Sequence, residues 1–205
     1  MRSQVVNHEM RAYYDDRAGE YDDWWLGTGL FARRKRPGWS AEVGELVEVL
    51  RDLPPARVLD VACGTGFLTR HLRGDVVAID QSSNMTRLAA RRMPSVSVRL
   101  ADAVPLPFEE REFDRVFTSH FYGHLLEDEC EEFLAEARRV APELVLVDSA
   151  RRADLEPEVW QTRVLNDGST HRVYKRYFEG NELAAELGGG RVLHDGRWFV
   201  VVVCP

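Results

Sequence analysis

Residues 58–67 read VLDVACGTGF, and this stretch decides the predicted fold. The apolar run that ends at Asp60 is typical of a buried strand, and the small residues after it predict a loop that opens a helix. Gly64 and Gly66 lack a Cβ, so the backbone of this loop can approach a ligand closely. A helix that begins near Thr65 would point free N–H groups at an anion. The stretch therefore predicts a strand, a glycine-rich loop and a helix that together bind a ligand.

The rest of the chain alternates apolar runs with amphipathic stretches. Four further runs are predicted strands: DVVAID (75–80), SVSVRLA (95–101), FDRVFTS (113–119) and ELVLVDS (143–149). Helices are predicted near 65–73, 82–92, 127–140 and 180–187, with an irregular connection over 102–112. Strands that are apolar on both faces are typical of a parallel sheet covered by helices. We therefore predict an α/β fold with one Rossmann-like, doubly wound, seven-stranded sheet, mostly parallel with an antiparallel last strand.

Two segments outside the sheet are predicted to cover its edge. Residues 1–40 are rich in tyrosine and tryptophan and predict an N-terminal aromatic cap. Residues 159–178 flank an Asp-Gly dipeptide and predict an inserted hairpin, and Asp195-Gly196 predicts a type I′ turn before the last strand. At 205 residues, the whole chain 1–205 is expected to form a single domain.

Acidic residues follow the second and third predicted strands, where α/β proteins bind ligands. Asp80 lies twenty residues after Asp60, at a position where a carboxylate can accept both hydroxyls of a ribose. Asp102 adds an acceptor where an adenine amino group would lie. The loop reads GTGFLT, with Thr69 in place of the third glycine of a dinucleotide fingerprint, and this spacing disfavours a nicotinamide cofactor.

These residues resemble the class I S-adenosylmethionine (SAM)-dependent methyltransferases, in particular a small-molecule group similar to ubiquinone/menaquinone-biosynthesis methyltransferases. The resemblance covers nearly all of residues 8–204. It rests on DVACGTG in the glycine loop and on four further segments: YYDDRAGEYDDWW (13–25), AIDQSSNM (78–85), ADAVPLPF (101–108) and FDRVFTSHFYGHL (113–125). One departure is Ala62, where the wider superfamily often has the first of three glycines.

The resemblance implies SAM as the cofactor and no metal. In it, Asp80 binds the ribose, Met85 packs on the adenine, and Asp102 with Ala103 contacts the adenine edge. The full set of implied cofactor-binding residues is Asp60, Ala62, Gly64, Gly66, Asp80, Gln81, Met85, Asp102, Ala103 and Ser119.

Methyl transfer needs the acceptor to be positioned and, for a poorly acidic acceptor, a proton to be removed. His120, His124 and Tyr14 are the candidate catalytic residues, and His120 is the leading base because it follows the fourth strand. A hydrogen-bonded or solvated structural role remains open for both histidines.

The 27 basic and 34 acidic side chains leave a net charge of −7, which disfavours nucleic acid as a partner. Together with the aromatic cap, this charge predicts a small methyl acceptor of largely apolar or aromatic character. The basic run Arg33–Arg36 leaves an acidic acceptor or RNA as an alternative. The alternatives are a SAM-binding regulator without catalysis and a nicotinamide-dependent oxidoreductase. No secretory signal or membrane span is expected, because the longest apolar run, Phe199–Cys204, is short. Three widely spaced cysteines fit a cytoplasmic protein, expected to be a monomer or homodimer.

Overall fold

The computed structural model describes residues 3–205, with side chains from residue 9 onward. The start of the predicted cap, residues 1–2, lies outside the described residues. The N-terminal region forms three helices: α1 (Ser3–Arg17), α2 (Tyr21–Leu26) and α3 (Trp39–Asp52). Within residues 3–205, no helix combines the length and the apolar character that crossing a bilayer requires.

One sheet of seven strands organises the rest of the chain. Its first five strands are β1 (Ala56–Val61), β2 (Gly74–Asp80), β3 (Ser97–Leu100), β4 (Arg115–Ser119) and β5 (Glu143–Ser149). A separate two-stranded hairpin follows, formed by β6 (Glu158–Val164) and β7 (Thr170–Arg176), and the chain then returns to the sheet as β8 (Arg191–Asp195) and β9 (Phe199–Cys204). The helices after α3 are α4 (Ser83–Arg92), α5 (Glu127–Val140) and α6 (Gly180–Glu186).

The strand order in the sheet is β3-β2-β1-β4-β5-β9-β8. Strands β1 to β5 pair in parallel, and β9 runs antiparallel between β5 and β8. The predicted mostly parallel sheet with an antiparallel last strand is therefore confirmed. Since the order reverses between β1 and β4, the carboxyl ends of these two strands mark the crevice where such sheets bind ligands.

Apolar side chains on both faces of the sheet bury it between helices. Leu59 and Val61 of β1 pack in one core with Phe133 of α5, whereas Val58 packs in a second core with Leu46 of α3. Successive strand residues point to opposite faces, so a continuous apolar run serves two cores at once. This double burial is why the strands were recognisable in the sequence.

The helix predicted over residues 65–73 is absent. Ala62, Gly64 and Gly66 all have positive φ values, of 60°, 56° and 75°, which no α-helix contains. Only a short 3-10 turn, Thr69–His71, forms before β2 begins at Gly74. The prediction of a helix N-terminus at Thr65 was wrong, because the left-handed residues on both sides of Thr65 cannot be part of a helix.

The C-terminal hairpin forms as predicted, but its turn is not type I′. Neither Asp195 nor Gly196 has a positive φ. The Glu42 carboxylate instead occupies the inside of the loop and accepts the N–H groups of Trp198 at 2.7 Å and Phe199 at 2.9 Å. This buried carboxylate fastens α3 to the hairpin and sets the wider turn.

The hairpin β6–β7 lies at the end of α1, beside the carboxyl edge of the sheet. Tyr13 of α1 packs in one small apolar cluster with Leu165 and Val173 of the hairpin. The 3-10 turn Tyr122–His124, which follows β4, contacts β7. The N-terminal helices and the hairpin therefore cover the ends of β1, β2 and β4 together. The assignment of the chain to a single domain stays a prediction.

Candidate active site

Two adjoining cavities lie at the carboxyl edge of the sheet. The first, of about 160 Å³, is bounded by the ends of β1, β2 and β4 and by Met10 of α1. The second, of about 750 Å³, lies between the N-terminal helices and the β6–β7 hairpin. Four residues line both cavities: Tyr14, Tyr21, His120 and His124. The two spaces therefore meet at these four side chains.

Asp80, at the end of β2, presents a buried carboxylate in the wall of the first cavity. Its oxygens accept the N–H groups of Gly64 and Ser82, each at 2.8 Å. Burial raises the pKa of Asp80 to about 6, and these two hydrogen bonds oppose that rise. The group is therefore ionised at neutral pH, and each oxygen keeps a lone pair for a further donor.

The backbone of the glycine loop lies beside Asp80 in the wall of the first cavity. Gly64 has a φ of 56°, and a Cβ built on it would lie 3.5 Å from Cε1 of Tyr21, in ordinary contact with that ring. The loop is held to the sheet because Cys63 donates its N–H to the Ile79 carbonyl at 2.9 Å. Gly64 and Asp80 are thereby fixed on the same side of the first cavity.

Two acidic residues fasten the N-terminal helices over this cavity. Asp22 accepts hydrogen bonds from the Thr65 hydroxyl at 2.6 Å and from the Arg92 guanidinium. Asp15 accepts one from the Ser82 hydroxyl and one from the N–H of Asn84 at 3.1 Å. The sequence analysis missed both roles, although both acids lie in the YYDD and YDDWW segments that it singled out.

His120 follows β4 in a left-handed conformation, with a φ of 52°. Its Nδ1 lies 3.3 Å from the Ser149 hydroxyl and 3.6 Å from Asp148 Oδ1. Its Nε2 is buried and has no hydrogen-bond partner among the residues that the structure describes. The rings of Trp24 and Phe199 pack around the imidazole. A left-handed non-glycine residue with an unpaired buried nitrogen is typical of a functional position.

Burial lowers the pKa of His120, with Lys175 acting in the same direction and Asp148 opposing it. The ring is therefore neutral near pH 7. The carboxylate of Asp148 favours the tautomer that carries the proton on Nδ1, which leaves a lone pair on Nε2. Asp148 itself is ionised, because Lys175 and His120 hold its pKa well below the usual value despite its burial.

His124 is also neutral but has a structural hydrogen bond. Its Nδ1 lies 2.5 Å from the Tyr174 carbonyl and therefore donates to it. Burial lowers its pKa well below the usual value, with further contributions from Lys175 and Arg163. Burial also raises the pKa of Tyr14, so that hydroxyl stays protonated near pH 7.

Comparisons with known proteins fit this arrangement. A family model described as "Methyltransferase domain" matches residues 58–143, from β1 to the start of β5. The demethylmenaquinone methyltransferase of Renibacterium salmoninarum is 34% identical over 135 residues, which are 64% of this chain and 54% of that protein. The dTDP-4-amino-2,3,4,6-tetradeoxy-D-glucose N,N-dimethyltransferase of Saccharopolyspora spinosa is 37% identical over 95 residues, 44% of this chain and 35% of that protein. The chain thus spans about half, or less, of the length of these curated relatives.

Solved structures of the protein DhpI match over nearly the whole chain. Its complex with SAM and HEP has a TM-score of 0.78 at 28% identity and covers 98% of this chain and 97% of DhpI. Its complex with SAH has a TM-score of 0.73 at 30% identity, with coverage of 97% and 95%. The chain belongs to the class I SAM-dependent methyltransferases. The predicted resemblance to this family and its quinone-biosynthesis group is confirmed.

Most of the residues that the sequence predicted for this methyltransferase site lie together. Nine of them line the first cavity: Tyr14, Ala62, Gly64, Asp80, Gln81, Ala103, Ser119, His120 and His124. Their roles toward a ligand remain predictions. Across residues 3–205, no group of three His, Cys, Asp or Glu side chains is placed to hold a metal ion.

The other four predicted residues do not line the first cavity. Asp60 is buried, and one of its oxygens accepts the Thr69 hydroxyl at 2.5 Å. A Cβ on Gly66 would meet Met93, not open space. Met85 is fully buried and Asp102 is exposed to solvent. None of these four residues is among those that line either cavity.

Proposed function

We propose that the chain is an enzyme that transfers a methyl group from SAM to a small-molecule acceptor. The observation that carries this proposal is the junction of the two cavities at Tyr14, Tyr21, His120 and His124. The first cavity has the Asp80 carboxylate and the backbone of Gly64, which suit a nucleoside. The second cavity is a separate space for a second molecule. SAM, when bound, supplies the methyl group and leaves as S-adenosylhomocysteine (SAH).

The residues of the first cavity fit a nucleoside ligand. The free lone pairs of Asp80 are placed to accept ribose hydroxyls, and Gly64 offers backbone without a Cβ in the way. The cavity volume of about 160 Å³ lies below the roughly 300 Å³ at which small-ligand pockets begin. Met10, Tyr14 and Tyr21 of the N-terminal helices form part of the wall, so we infer that these helices move outward when SAM enters.

Within this proposal, His120 accepts a proton from the acceptor at Nε2. Asp148 and Ser149 hold the imidazole through Nδ1, so the unpaired nitrogen is the one left for the acceptor. Tyr14 and Tyr21 close the junction from the side of the N-terminal helices and exclude water. Positioning supplies most of the acceleration in such a reaction, and general base catalysis typically adds about 10²–10⁴-fold.

The names of the curated relatives support a small-molecule acceptor, since they include a quinone methyltransferase and a sugar N,N-dimethyltransferase. We further propose a cytoplasmic protein, monomeric or homodimeric, that does not use nucleic acid as its acceptor. The net charge of −7 supports the last point, and three buried, unpaired cysteines support a reducing compartment.

Calorimetry with SAM, SAH and NAD tests the proposed cofactor. We expect SAM and SAH to bind and NAD not to bind, and we expect Asp80→Ala to weaken SAM binding tenfold or more, because it removes charge-assisted hydrogen bonds. Asp75→Ala is the matched control, since Asp75 lies exposed at the opposite end of the same strand. Equal SAM affinity in Asp80→Ala and the parent, or equal binding of NAD, would contradict the proposal.

A further inference from the structure

The second cavity has a charge opposite to that of the whole chain. The chain carries a net charge of −7, yet among the residues that line this cavity the only carboxylate is Glu20. Three cations belong to its inner wall: Arg17, Arg163 and Lys175. Four more belong to the rest of the lining, of which Arg152 pairs with Asp154: Arg34, Lys35, Arg36 and Arg152. The cavity is therefore strongly cationic inside an acidic protein.

Two of the inner cations lack an acidic partner. Lys175 forms an ion pair with Asp148, and this carboxylate neutralises the charge of the lysine. Among the described residues, no carboxylate lies within 4.0 Å of the guanidinium of Arg17 or Arg163, although each guanidinium donates to the hydroxyl of Tyr13, Arg163 at 3.2 Å. Both guanidinium groups also lie over the Tyr13 ring, 5.5 Å and 5.6 Å from its centroid. Two arginines from distant parts of the chain therefore converge on one hydroxyl oxygen.

This convergence is unfavourable unless a further group offsets it. Arg17 is only 6% exposed, so bulk water screens its charge poorly. A single hydroxyl offers two lone pairs, whereas two guanidinium groups carry ten N–H donors between them. Planar guanidinium groups match the two oxygens of a carboxylate or phosphoryl group, and an anion of this kind would offset both charges.

We propose that the methyl acceptor carries a small oxyanion, a carboxylate or a phosphoryl group, which Arg17 and Arg163 bind beside Tyr13. This inference rests on the proposed function and names its substrate class. It replaces the largely apolar acceptor expected from the sequence, while the predicted place of entry, between the N-terminal helices and the hairpin, is kept. The cations nearer to solvent, such as Arg34 and Lys35, would attract the anion toward the cavity.

A polynucleotide fits the same charges less well. Arg17 and Lys175, at 6% and 3% exposure, lie inside a cavity covered by the β6–β7 hairpin. Contacts to a phosphate backbone use exposed cations on an open surface. The buried position of the cations therefore favours a small anion.

The binding of small anions, compared with that of neutral molecules built on the same core, tests the inference directly. Acetate and inorganic phosphate are the probes, with acetamide and trimethyl phosphate as their neutral counterparts, titrated into the parent protein with and without saturating SAH. We expect saturable binding of at least one anion and no binding of the neutral molecules. The tighter anion then identifies the group as a carboxylate or a phosphoryl. Equal binding of anion and neutral counterpart, or no saturable anion binding, would overturn the inference.

Arg163→Gln locates the anion, and Arg172→Gln is its control on the same hairpin. Arg172 is exposed and packs over the Trp160 ring, away from the cavity. We expect anion affinity to fall tenfold or more in Arg163→Gln, to recover in part in Arg163→Lys, and to stay unchanged in Arg172→Gln. If Arg163→Gln binds the anion like the parent, the site is wrongly placed. If Arg163→Gln fails to fold, the affinities of the parent protein for acetate and acetamide still decide whether the site selects an anion.

Two further results separate this inference from the proposed function. Failure of SAH to bind the parent contradicts the proposed function, whereas intact SAH binding without anion selectivity contradicts only the acceptor class. Binding of tRNA that Arg163→Gln weakens and that acetate and phosphate do not compete with would assign the cations to a polynucleotide and overturn the inference.

Discussion

Asp60 makes the stability of this protein depend on pH in the neutral range. The carboxyl group is buried at the end of β1, with one oxygen bonded to the Thr69 hydroxyl and the other without a hydrogen-bond partner among the described residues. Burial raises its pKa from 3.8 to about 8. The folded protein therefore holds a proton on Asp60 that the unfolded chain has released above pH 4, and stability must fall as pH rises toward 8.

The size of the effect follows from the same values. Each pH unit between the two pKa values changes the free energy of unfolding by about 1.4 kcal/mol. Asp60 is half ionised at pH 8, so its ionisation should lower the free energy of unfolding of the parent by about 2 kcal/mol between pH 6 and pH 8. Asp60→Asn keeps an oxygen for the Thr69 hydroxyl and cannot ionise, so it should not show this loss.

Urea unfolding of the parent and of Asp60→Asn at pH 6, 7 and 8 measures this difference. Groups common to both proteins cancel, so the gap in unfolding free energy should move in favour of Asp60→Asn by about 2 kcal/mol from pH 6 to pH 8. Asp52→Asn, at an exposed position, controls for loss of one carboxylate and should run parallel to the parent. Parallel curves for the parent and Asp60→Asn would refute the reasoning.

Two other substitutions test the parts of the site that move and react. Asp22→Asn removes the charge that holds α2 to Thr65 and Arg92. Hydrogen exchange of the amides of residues 21–26 should therefore accelerate about tenfold, while the amides of β4 stay protected. Unchanged exchange would mean that Asp22 does not fasten these helices. In His120→Asn, the new side chain tolerates the left-handed backbone but supplies no base. The kcat should therefore fall about 10²-fold, while the SAH affinity measured by calorimetry stays unchanged. A variant with the parent's kcat would show that His120 only forms part of the cavity wall.

The parts of the fold that the sequence predicted are those specified by local patterns. Helix α4 begins after Ser82, whose hydroxyl accepts the Met85 N–H at 3.1 Å, a local capping signal. The glycine loop could not be predicted in the same way. Its left-handed residues depend on hydrogen bonds from Cys63 and Gly64 to Ile79 and Asp80 of β2, which exist only once the two strands pair.

The candidate site likewise has residues that local sequence patterns predict and residues that only folding brings together. Asp80 was predictable, because it lies at the end of an apolar run with a spacing that suits a ribose. In the second cavity, the run Arg33–Arg36 that the sequence singled out supplies three of the cations. The inner cations were not predictable, because Arg17 lies in α1 and Arg163 and Lys175 lie in the hairpin, more than a hundred residues further along. Only the packing of α1 against the hairpin brings these charges together, and no pattern of neighbouring residues records it.

The hairpin β6–β7 lines the second cavity and contributes no residue to the wall of the first. In the function proposed above, the hairpin therefore contributes to the acceptor cavity and not to the wall that holds the cofactor, so mutations at its cavity-lining residues other than Lys175 can accumulate during evolution without disturbing the glycine loop or Asp80. An acceptor preference can be redesigned in the same way. A library confined to the hairpin residues that line the second cavity, with Lys175 kept because it pairs with Asp148 beside His120, samples new acceptors and leaves Asp80 and the glycine loop unchanged.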